Sequence, residues 1–490
     1  MLDTIVKLLP LDTDLPPRTT RIDMLQRVLA GTIYGVLAYE FHEERNGAGE
    51  YVRLHQRRPS VRSGLCRVVV EDSVSLLFGE GRFPGLICED EPTKAALADL
   101  VKDISLPAAM YDASIKGSVG SVVLRFRVLK GRVFVDAMST LYLTPDYDPE
   151  APDTLLRVTE RRKVLGSDLA ANGYAIPDDA MQAWHWFQRI WDGAAETWFV
   201  PRPVSDVSTE KPLLPDAGRS VRHNLGFCPM VWIRNLPGGD DVDGVSTFEA
   251  AIETVIEIDY QMSQAGRGLR YSSDPTLLIK EPATGEGAIV KGGGSALVVS
   301  ADGDAKMLEI NGTAAAAVVE YVKALREQAL ESMHGNRSNA DKLSAAQSGR
   351  ALELLHQPLV WLADRLRHSY GEVGLLDIVR MIVRASRKMP LVLKDGRKVP
   401  QLSELPITLR WPQWFDPTES DKQAQAGTLS ALRGAGLLSR ETSVTALAPV
   451  YDIEDVRAEL ANIQADEAQA DAREAAQVTA QTKITETSPG

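Results

Sequence analysis

A helical pattern that runs from Gln347 to Ser386 constrains the fold of this chain more than any other feature. Its leucines alternate three and four positions apart, as on one face of a helix, and Val373 and Leu376 continue the seam. These leucines are Leu352, Leu355, Leu359, Leu362 and Leu366. Pro358 lies inside the pattern and predicts a kink. Such a helix would span about 60 Å, and a chain of 490 residues is expected to form several domains or one elongated subunit with several parts.

The composition excludes several classes of protein. Apolar residues make up 44% of the chain, which is enough for a packed core, and the net charge of −13 argues against a broad basic face that grips nucleic acid. The three scattered cysteines indicate buried thiols in a reducing compartment. The N-terminus lacks the long apolar segment of a secretory signal, and no stretch reaches about 18 apolar residues, so no membrane span is expected.

The segment "STFEAAIETVIEIDYQMSQ" predicts a helix that carries acids on one face. Ser246 is a candidate N-cap, and Glu249 stands three residues later, as in a capping box. Three glutamates then lie above one another: Glu249, Glu253 and Glu257. An apolar stripe follows another side: Phe248, Ile252, Val255 and Met262. Like charges at this spacing cost about 0.2–0.5 kcal/mol per pair. Either a solvated face or a functional acidic surface accounts for them.

Catalytic, cofactor and metal motifs are not found. "HEERN" at His42 lacks the second histidine of a zinc protease motif, and "GEGAIVKGGGS" places its lysine before the glycines, unlike a phosphate-binding loop. "DDVDGVSTFEA" resembles a calcium loop only in part, which leaves open an adventitious cation at Asp241 and Asp243. We therefore expect no catalytic residue, no cofactor and no dedicated metal site.

The order of the parts resembles that of the portal proteins of tailed bacteriophages. A helix, a Gly-rich β-excursion, a returning helix, a polar loop and a long kinked helix follow one another. Local stretches agree collinearly over roughly residues 20–460, among them "VVVEDSVSLLFGEG", "GSVGSVVLRFRVLKGRVFVDAMS", "SSDPTLLIK", "QSGRALELL" and "GLLSRETSVTALAPVYDIEDVRAEL". No single stretch is decisive, but the series is specific in combination.

The resemblance implies an α+β, elongated, multi-domain portal fold that is mainly helical, has β-strands in its wing and clip, and assembles as a ring, usually of twelve copies. The implied parts are the wing (1–245), the first stem helix (246–271), the clip (272–313), the second stem helix (314–334), the tunnel loop (335–349), the long kinked helix with returning wing strands (350–416), and the crown with the C-terminal tail (417–490).

The resemblance also implies a function. The ring would sit at the unique vertex of the capsid in the virion, after assembly in the host cytoplasm, as a conduit for double-stranded DNA during packaging and ejection. Its implied partners are further copies of the chain, the terminase large subunit, a head-tail adaptor protein, the major capsid protein and a scaffolding protein, with no membrane. No enzymatic activity is implied.

Residues can be assigned to this function. In a ring, the glutamates at 249, 253 and 257 would form an acidic wall that lets DNA slide, and the tunnel loop would touch phosphates through Arg337, Lys342 and Asn336. The apolar stripe of Phe248, Ile252 and Val255 is expected at the stem interface. Asp259 falls within that stripe and should need a partner across a subunit or helix contact, with Lys323 and Arg326 as candidates.

Two other classes remain open from the sequence. The seam from Leu352 to Leu366 fits a cytosolic coiled-coil scaffold or adaptor without a DNA channel. An enzyme whose site leaves no recognisable motif is the third alternative.

Overall fold

A computed structural model gives the fold, and it describes residues 1–10, 12–38, 45–53, 56–204, 212–273, 276–282, 299–308, 313–335, 356–415, 418–448, 450–451, 453 and 455–486. Helices and strands are both present, which confirms the α+β prediction. The chain divides into two units, residues 1–337 with 361–410 and residues 338–360 with 411–490.

The helices are α1 (Leu2–Leu8), α2 (Pro17–Leu29), α3 (Leu65–Phe78), α4 (Glu91–Asp103), α5 (Leu106–Gly117), α6 (Gly166–Ala171), α7 (Ile252–Ser273), α8 (Thr313–Ser332), α9 (Gln357–Leu366), α10 (Leu376–Lys388), α11 (Glu419–Gly434), α12 (Arg440–Leu447) and α13 (Val456–Glu486). A π-helix (Arg367–Leu375) joins α9 to α10, and 3₁₀ turns occur at Ile33–Val36, Asp178–Ala180 and Glu249–Ala251. No helix among the described residues combines the length and the apolar character needed to cross a bilayer.

The strands are β1 (Gly85–Ile87), β2 (Ser121–Leu129), β3 (Arg132–Ser139), β4 (Leu143–Tyr147), β5 (Leu155–Leu165), β6 (Trp184–Trp191), β7 (Ala195–Trp198), β8 (Arg202–Pro203), β9 (Val221–Arg222), β10 (Met230–Arg234), β11 (Thr276–Pro282), β12 (Val299–Leu308) and β13 (Thr408–Arg410). They form a three-stranded sheet in the order β10-β2-β3, a sheet in the order β4-β5-β6-β7-β9 with β8 beside β6, and the pairs β1-β13 and β11-β12. All of these pairings are antiparallel.

A two-residue hairpin turn joins β2 to β3. Leu129 pairs with Arg132, and the two residues between them, Lys130 and Gly131, have φ values of 51° and 79°. Two positive φ values define a type I′ turn, whose twist matches that of the flanking strands.

The two larger sheets share one apolar core. Its members come from both sheets: Val123, Leu143, Val158, Trp191, Cys228, Met230 and Trp232. The tryptophan-rich strand β6 supplies Trp191 to this core, although Trp184 of the same strand is 56% exposed.

The long helical pattern is interrupted by the π-helix. Gly374 packs so closely on Ile233 that a Cβ at this glycine would lie 2.4 Å from that side chain. A π turn shifts the register of a helix by one residue and is found where tertiary contacts demand it. Pro358 lies in the first turn of α9, where proline is tolerated. Since residues 336–355 are not among the described ones, the kink expected at Pro358 stays a prediction.

The second unit holds α11, α12 and α13. Thr418 and Asp421 form a capping box at the start of α11, and Ser439 caps α12. Arg440 at the start of α12 makes an ion pair with Glu467 of α13.

Candidate functional site at the base of helix α7

Helix α7 begins later than the sequence predicts. The residues Glu249–Ala251 form a 3₁₀ turn, and the α-helix starts at Ile252. The capping box predicted at Ser246 and Glu249 is therefore wrong. The Ser246 hydroxyl accepts a hydrogen bond from the Phe248 amide at 3.4 Å, and the Glu249 carboxylate binds an arginine instead of turning back to the backbone.

That arginine is Arg21 of α2. Its Nε donates to Glu249 Oε1 at 3.0 Å and its Nη2 donates to Oε2 at 2.6 Å. The hydrogen bond to the Glu249 carboxylate raises the pKa of Arg21. Both side chains are about one-third exposed, so the pair contributes little stability. It nevertheless supplies a local countercharge for the first glutamate of the predicted acidic face.

A second arginine of α2 is anchored more deeply. Arg18 binds the carboxylate of Asp243, which is 1% exposed, with an Nη2–Oδ1 distance of 2.8 Å. Its Nη1 also donates to the carbonyls of Thr140 and Leu143 at 3.0 and 2.9 Å, and the Ser121 hydroxyl donates to Asp243. A buried charge is tolerable only when its hydrogen-bonding groups are satisfied in this way.

This pairing bears on the partial calcium loop. Asp243 is engaged by Arg18, whereas Asp241 is exposed. Across the described ranges, no group of three or more His, Cys, Asp or Glu side chains is placed to hold a metal ion.

The apolar stripe of α7 is buried within a single chain. Phe248, Ile252 and Val255 are 0%, 1% and 7% exposed. Ile252 and Val255 line a cavity of about 40 Å³ together with Ile33, Leu65 and other residues of the N-terminal part. Contact of this stripe with a neighbouring subunit stays a prediction. Because these side chains are buried within one chain, truncating them would disturb the packing of that chain.

Asp259 has a partner, as expected, but the partner comes from another part of the chain. The Tyr34 hydroxyl donates to its Oδ2 at 2.9 Å, and the Ser63 amide donates to its Oδ1 at 2.7 Å. Burial raises the pKa of Asp259, and the hydrogen bonds oppose that effect. Neither candidate is the partner within the chain, since Lys323 pairs with Glu320 on α8 and Arg326 is exposed. A contact of either residue with Asp259 across a subunit boundary stays a prediction.

One turn further along α7, Ser263 makes a similar attachment. Its hydroxyl accepts from the amides of Ser60 and Val61 at 2.9 and 3.0 Å. The N-terminal segments therefore hold α7 at three levels, through Glu249, Asp259 and Ser263.

The glutamates of α7 reach solvent to different extents. Glu253 is exposed, and it forms no ion pair or hydrogen bond with another described residue. Glu257 is half-buried and accepts from Gln261 Nε2 at 2.6 Å. The three tunnel-loop candidates, Asn336, Arg337 and Lys342, lie outside the residues that the structure describes.

A buried amide connects the start of α7 to the π-helix. Asn235 is fully buried, and its Nδ2 donates to the Val245 carbonyl at 2.8 Å and to Thr247 Oγ1 at 3.0 Å. The Tyr370 hydroxyl donates to Asn235 Oδ1 at 2.9 Å. Gly117 makes room for this tyrosine, because a Cβ there would lie 2.1 Å from the hydroxyl.

Sequence reasoning did not identify five residues of this site: Arg18, Arg21, Tyr34, Asn235 and Tyr370. Arg18 lies 225 positions from Asp243, and Tyr370 lies 135 positions from Asn235. No local pattern signals a pair at such a separation. Only the isolated Asp259 within an apolar stripe indicated that a distant partner must exist.

The site has the properties of an anchor rather than a reaction centre. The buried polar groups described above are held by other groups of the chain. Burial raises the pKa of the nearby Cys66 thiol to about 12, which keeps it protonated and unreactive at neutral pH. The arrangement fixes one side of a long helix and leaves an acidic side free.

A comparison with models of known protein families matches the part of the chain that contains α7. The family model described as "Phage portal protein, SPP1 Gp6-like" matches residues 216–473, which is more than half of the 490-residue chain and begins before α7. No curated protein matches the chain.

The chain is also similar to chains of two solved structures. One is the virion of a native gene transfer agent particle (14% identity, 78% of this chain and 88% of that chain covered, TM-score 0.36). The other is the neck of an empty gene transfer agent particle computed with C6 symmetry (12% identity, the same two coverages, TM-score 0.41). Both TM-scores are too low for these likenesses to support a conclusion about fold or function.

Proposed function

The chain belongs to the SPP1 Gp6-like family of phage portal proteins, and on this premise we propose that its copies form the ring through which double-stranded DNA enters and leaves a capsid. Portal proteins are structural, and no catalytic residue is assigned. The observation that carries the proposal is the family match over residues 216–473, which includes α7, α8, the long helix and most of the second unit.

The surface of α8 supports assembly into a ring. Val319 and Tyr321 are each 49% exposed, and Ala316 and Ala317 are exposed beside them. Ala316 and Val319 lie on one side of α8, and Ala317 and Tyr321 lie on another, since residues three or four apart share a helix face. Exposed apolar residues that share a face mark an interaction surface. In the proposed ring, neighbouring copies cover both of these sides of α8, while α7 and α8 together form the stem.

The acidic side of α7 supports a sliding surface for DNA. Glu253 and Glu257 lack a cationic partner among the described residues, and ring symmetry would repeat them around the channel. Such a wall repels phosphates, so the duplex passes without being held. Glu249 contributes less to this wall, because Arg21 balances its charge.

The remaining assignments follow the portal scheme. Residues 1–245 form the wing, 272–313 the clip, 335–349 the tunnel loop and 417–490 the crown and tail, with the returning wing strands before residue 417. Arg337, Lys342 and Asn336 would touch DNA at the narrowest point. The ring would sit at the portal vertex of the virion, after assembly in the host cytoplasm. There it would bind the terminase large subunit, a head-tail adaptor, the major capsid protein and a scaffolding protein.

A charge-reversal experiment tests the conduit. The pair Glu253→Lys and Glu257→Lys should leave the ring intact, as seen in negative-stain images and native mass spectra. It should make the ring retain linear duplex DNA at low salt and release it as salt rises, because added cations exchange with phosphate counterions.

The matched control reverses two exposed glutamates elsewhere in the first unit, Glu80→Lys and Glu404→Lys, which changes the net charge equally. Retention by the α7 variant alone supports a channel wall. Equal retention of DNA by both variants would show that retention depends on net charge alone. A wild-type chain that forms no ring would contradict the proposal.

The coiled-coil scaffold is less well supported. Leu359, Leu362 and Leu366 are 5%, 1% and 2% exposed, so the described part of the seam is already covered within one chain. Leu352 and Leu355 fall among the residues not described. Rods or dimers in the same images would favour this second function.

A further inference from the structure

Strand β2 extends beyond its neighbour β10. Along one edge, β3 pairs with β2 from Val122 to Leu129. Along the other edge, β10 pairs only as far as Arg125, after which Phe126 donates its amide to the Pro229 carbonyl at 2.9 Å. The last three residues of β2, 127–129, thus have no described strand beside them on the β10 side.

The register fixes where the free backbone groups point. Leu129 and Arg132 flank a two-residue turn and form a hydrogen-bonded pair, so the next pair, Val128 with Val133, is a non-hydrogen-bonded one. The amide and carbonyl of Val128 therefore point away from β3, as the amide of Phe126 does. No described backbone group takes the place of β10 beside Val128. An exposed edge of this kind pairs readily with an added strand.

The free edge opens into a basic groove of about 630 Å³. Five arginines and one glutamate line it, in a chain whose net charge is −13. The arginines are Arg125, Arg127, Arg189, Arg219 and Arg222. The strand β9, which pairs with β7 and with no other described strand, lies on its border.

The positive charge of the groove is only partly balanced. Arg125 and Arg127 share the single carboxylate of Asp136, whereas Arg189 lies between two carboxylates and Arg219 pairs with one. Arg222 on β9 is exposed and makes no ion pair within the part of the chain that the structure describes. A ligand that brings a carboxylate would meet one free guanidinium, that of Arg222.

We propose that this groove binds an extended, carboxylate-bearing segment of a partner protein, which pairs with the Val128 edge and places an acidic side chain against Arg222. Backbone pairing gives affinity to such a strand addition, and the charged side chains select the sequence. The occupant must bring carboxylates to Arg222 in an extended segment that can pair with β2. We therefore assign the groove to a partner protein with such a segment and treat a second copy of the chain as an outcome of the test. The site lies apart from α7 and does not depend on the DNA conduit.

The probe is a fluorescein-labelled hexapeptide of alternating glutamate and valine, titrated with the full-length chain and followed by fluorescence anisotropy. Arg222→Glu should raise its Kd by about tenfold or more, as expected for a lost charge-assisted contact, and Arg222→Lys should restore most of the affinity. Val128→Pro removes the edge donor without removing a β2–β3 hydrogen bond, and it should also weaken binding. Val128→Thr keeps the donor and should bind as the wild type does.

Two controls make the result specific. Arg380→Glu reverses an exposed arginine of α10 that does not line the groove and should leave the Kd unchanged. A hexapeptide of alternating lysine and valine should not bind. Equal binding of both peptides, or a Kd unaffected by Arg222→Glu, would overturn the proposal. So would a change in the oligomeric mass of the Arg222→Glu variant at unchanged peptide affinity, since that result assigns the groove to a second copy.

Discussion

Helices α7 and α8 contact each other, yet they differ in how far the rest of the chain buries them. The first half of α7 carries three acids, and still most of its residues are buried or half-buried, with Asp259 only 4% exposed. The middle of α8 is rich in alanine and valine, and still its side chains from residue 316 to 328 are exposed or half-exposed. The polar helix is the interior one, and the apolar helix is the exterior one.

This difference shows that burial depends on what the rest of the chain supplies. Helix α7 is covered because α2, the Ile33–Val36 turn and α3 bring donors for its acids and apolar side chains for its stripe. No comparable layer covers α8 within the described residues. Its apolar surface is therefore available to another molecule, and the proposed ring provides one. Substitutions on α7 should therefore lower the stability of the single chain, whereas substitutions on α8 should lower assembly into a ring.

The largest effect is expected for Phe248→Ala at the base of α7. The side chain is fully buried, and truncating a buried phenylalanine costs about 3–5 kcal/mol. The free energy of unfolding, measured with urea on unassembled protein, should fall by that amount, and ring yield should fall with it. A stable variant that merely fails to assemble would instead place Phe248 at the subunit interface, as the sequence alone predicts.

Tyr370→Phe should give the next largest effect. It deletes the hydroxyl that donates to Asn235 and leaves a buried oxygen without that donor, which costs about 1–3 kcal/mol. Hydrogen exchange should then rise in both the π-helix and residues 235–247, since Asn235 joins them. Faster exchange in the π-helix alone would show that the two segments are not coupled.

Val319→Ala with Tyr321→Ala on α8 should change the stability of the single chain by no more than about 0.5 kcal/mol, because both residues are exposed. Ring yield in native mass spectra should nevertheless drop. This outcome is the reverse of that for Phe248→Ala and is the sharpest test of the contrast. Undiminished ring yield would mean that α8 is not covered by a neighbouring copy.

The smallest effect concerns Asp259 and its pH dependence. Its pKa is raised above the ordinary 3.8 in the folded chain, so the folded state binds more protons than the unfolded state. The carboxyl therefore makes the chain less stable as pH rises from 3.8 through the raised pKa. Relative to the wild type, Asp259→Asn should gain stability over that interval and show a constant difference above it. A difference that is flat across the interval, or that moves the other way, would contradict the raised pKa.

The sequence by itself determined the features that depend on neighbours along the chain or on the order of the parts. The helix that carries Glu253 and Glu257, the α+β class and the portal family were all predicted correctly, and Gly131 suits the positive φ that its turn requires. Turn chemistry and helix periodicity act over a few residues and can be read directly. Tertiary structure alone decided that Arg21 binds Glu249, that Tyr34 and Ser63 hold Asp259, and that a π-helix interrupts the long pattern. These outcomes depend on groups that folding brings together from more than a hundred positions away, and the desolvation that makes such pairs necessary exists only once the core has formed.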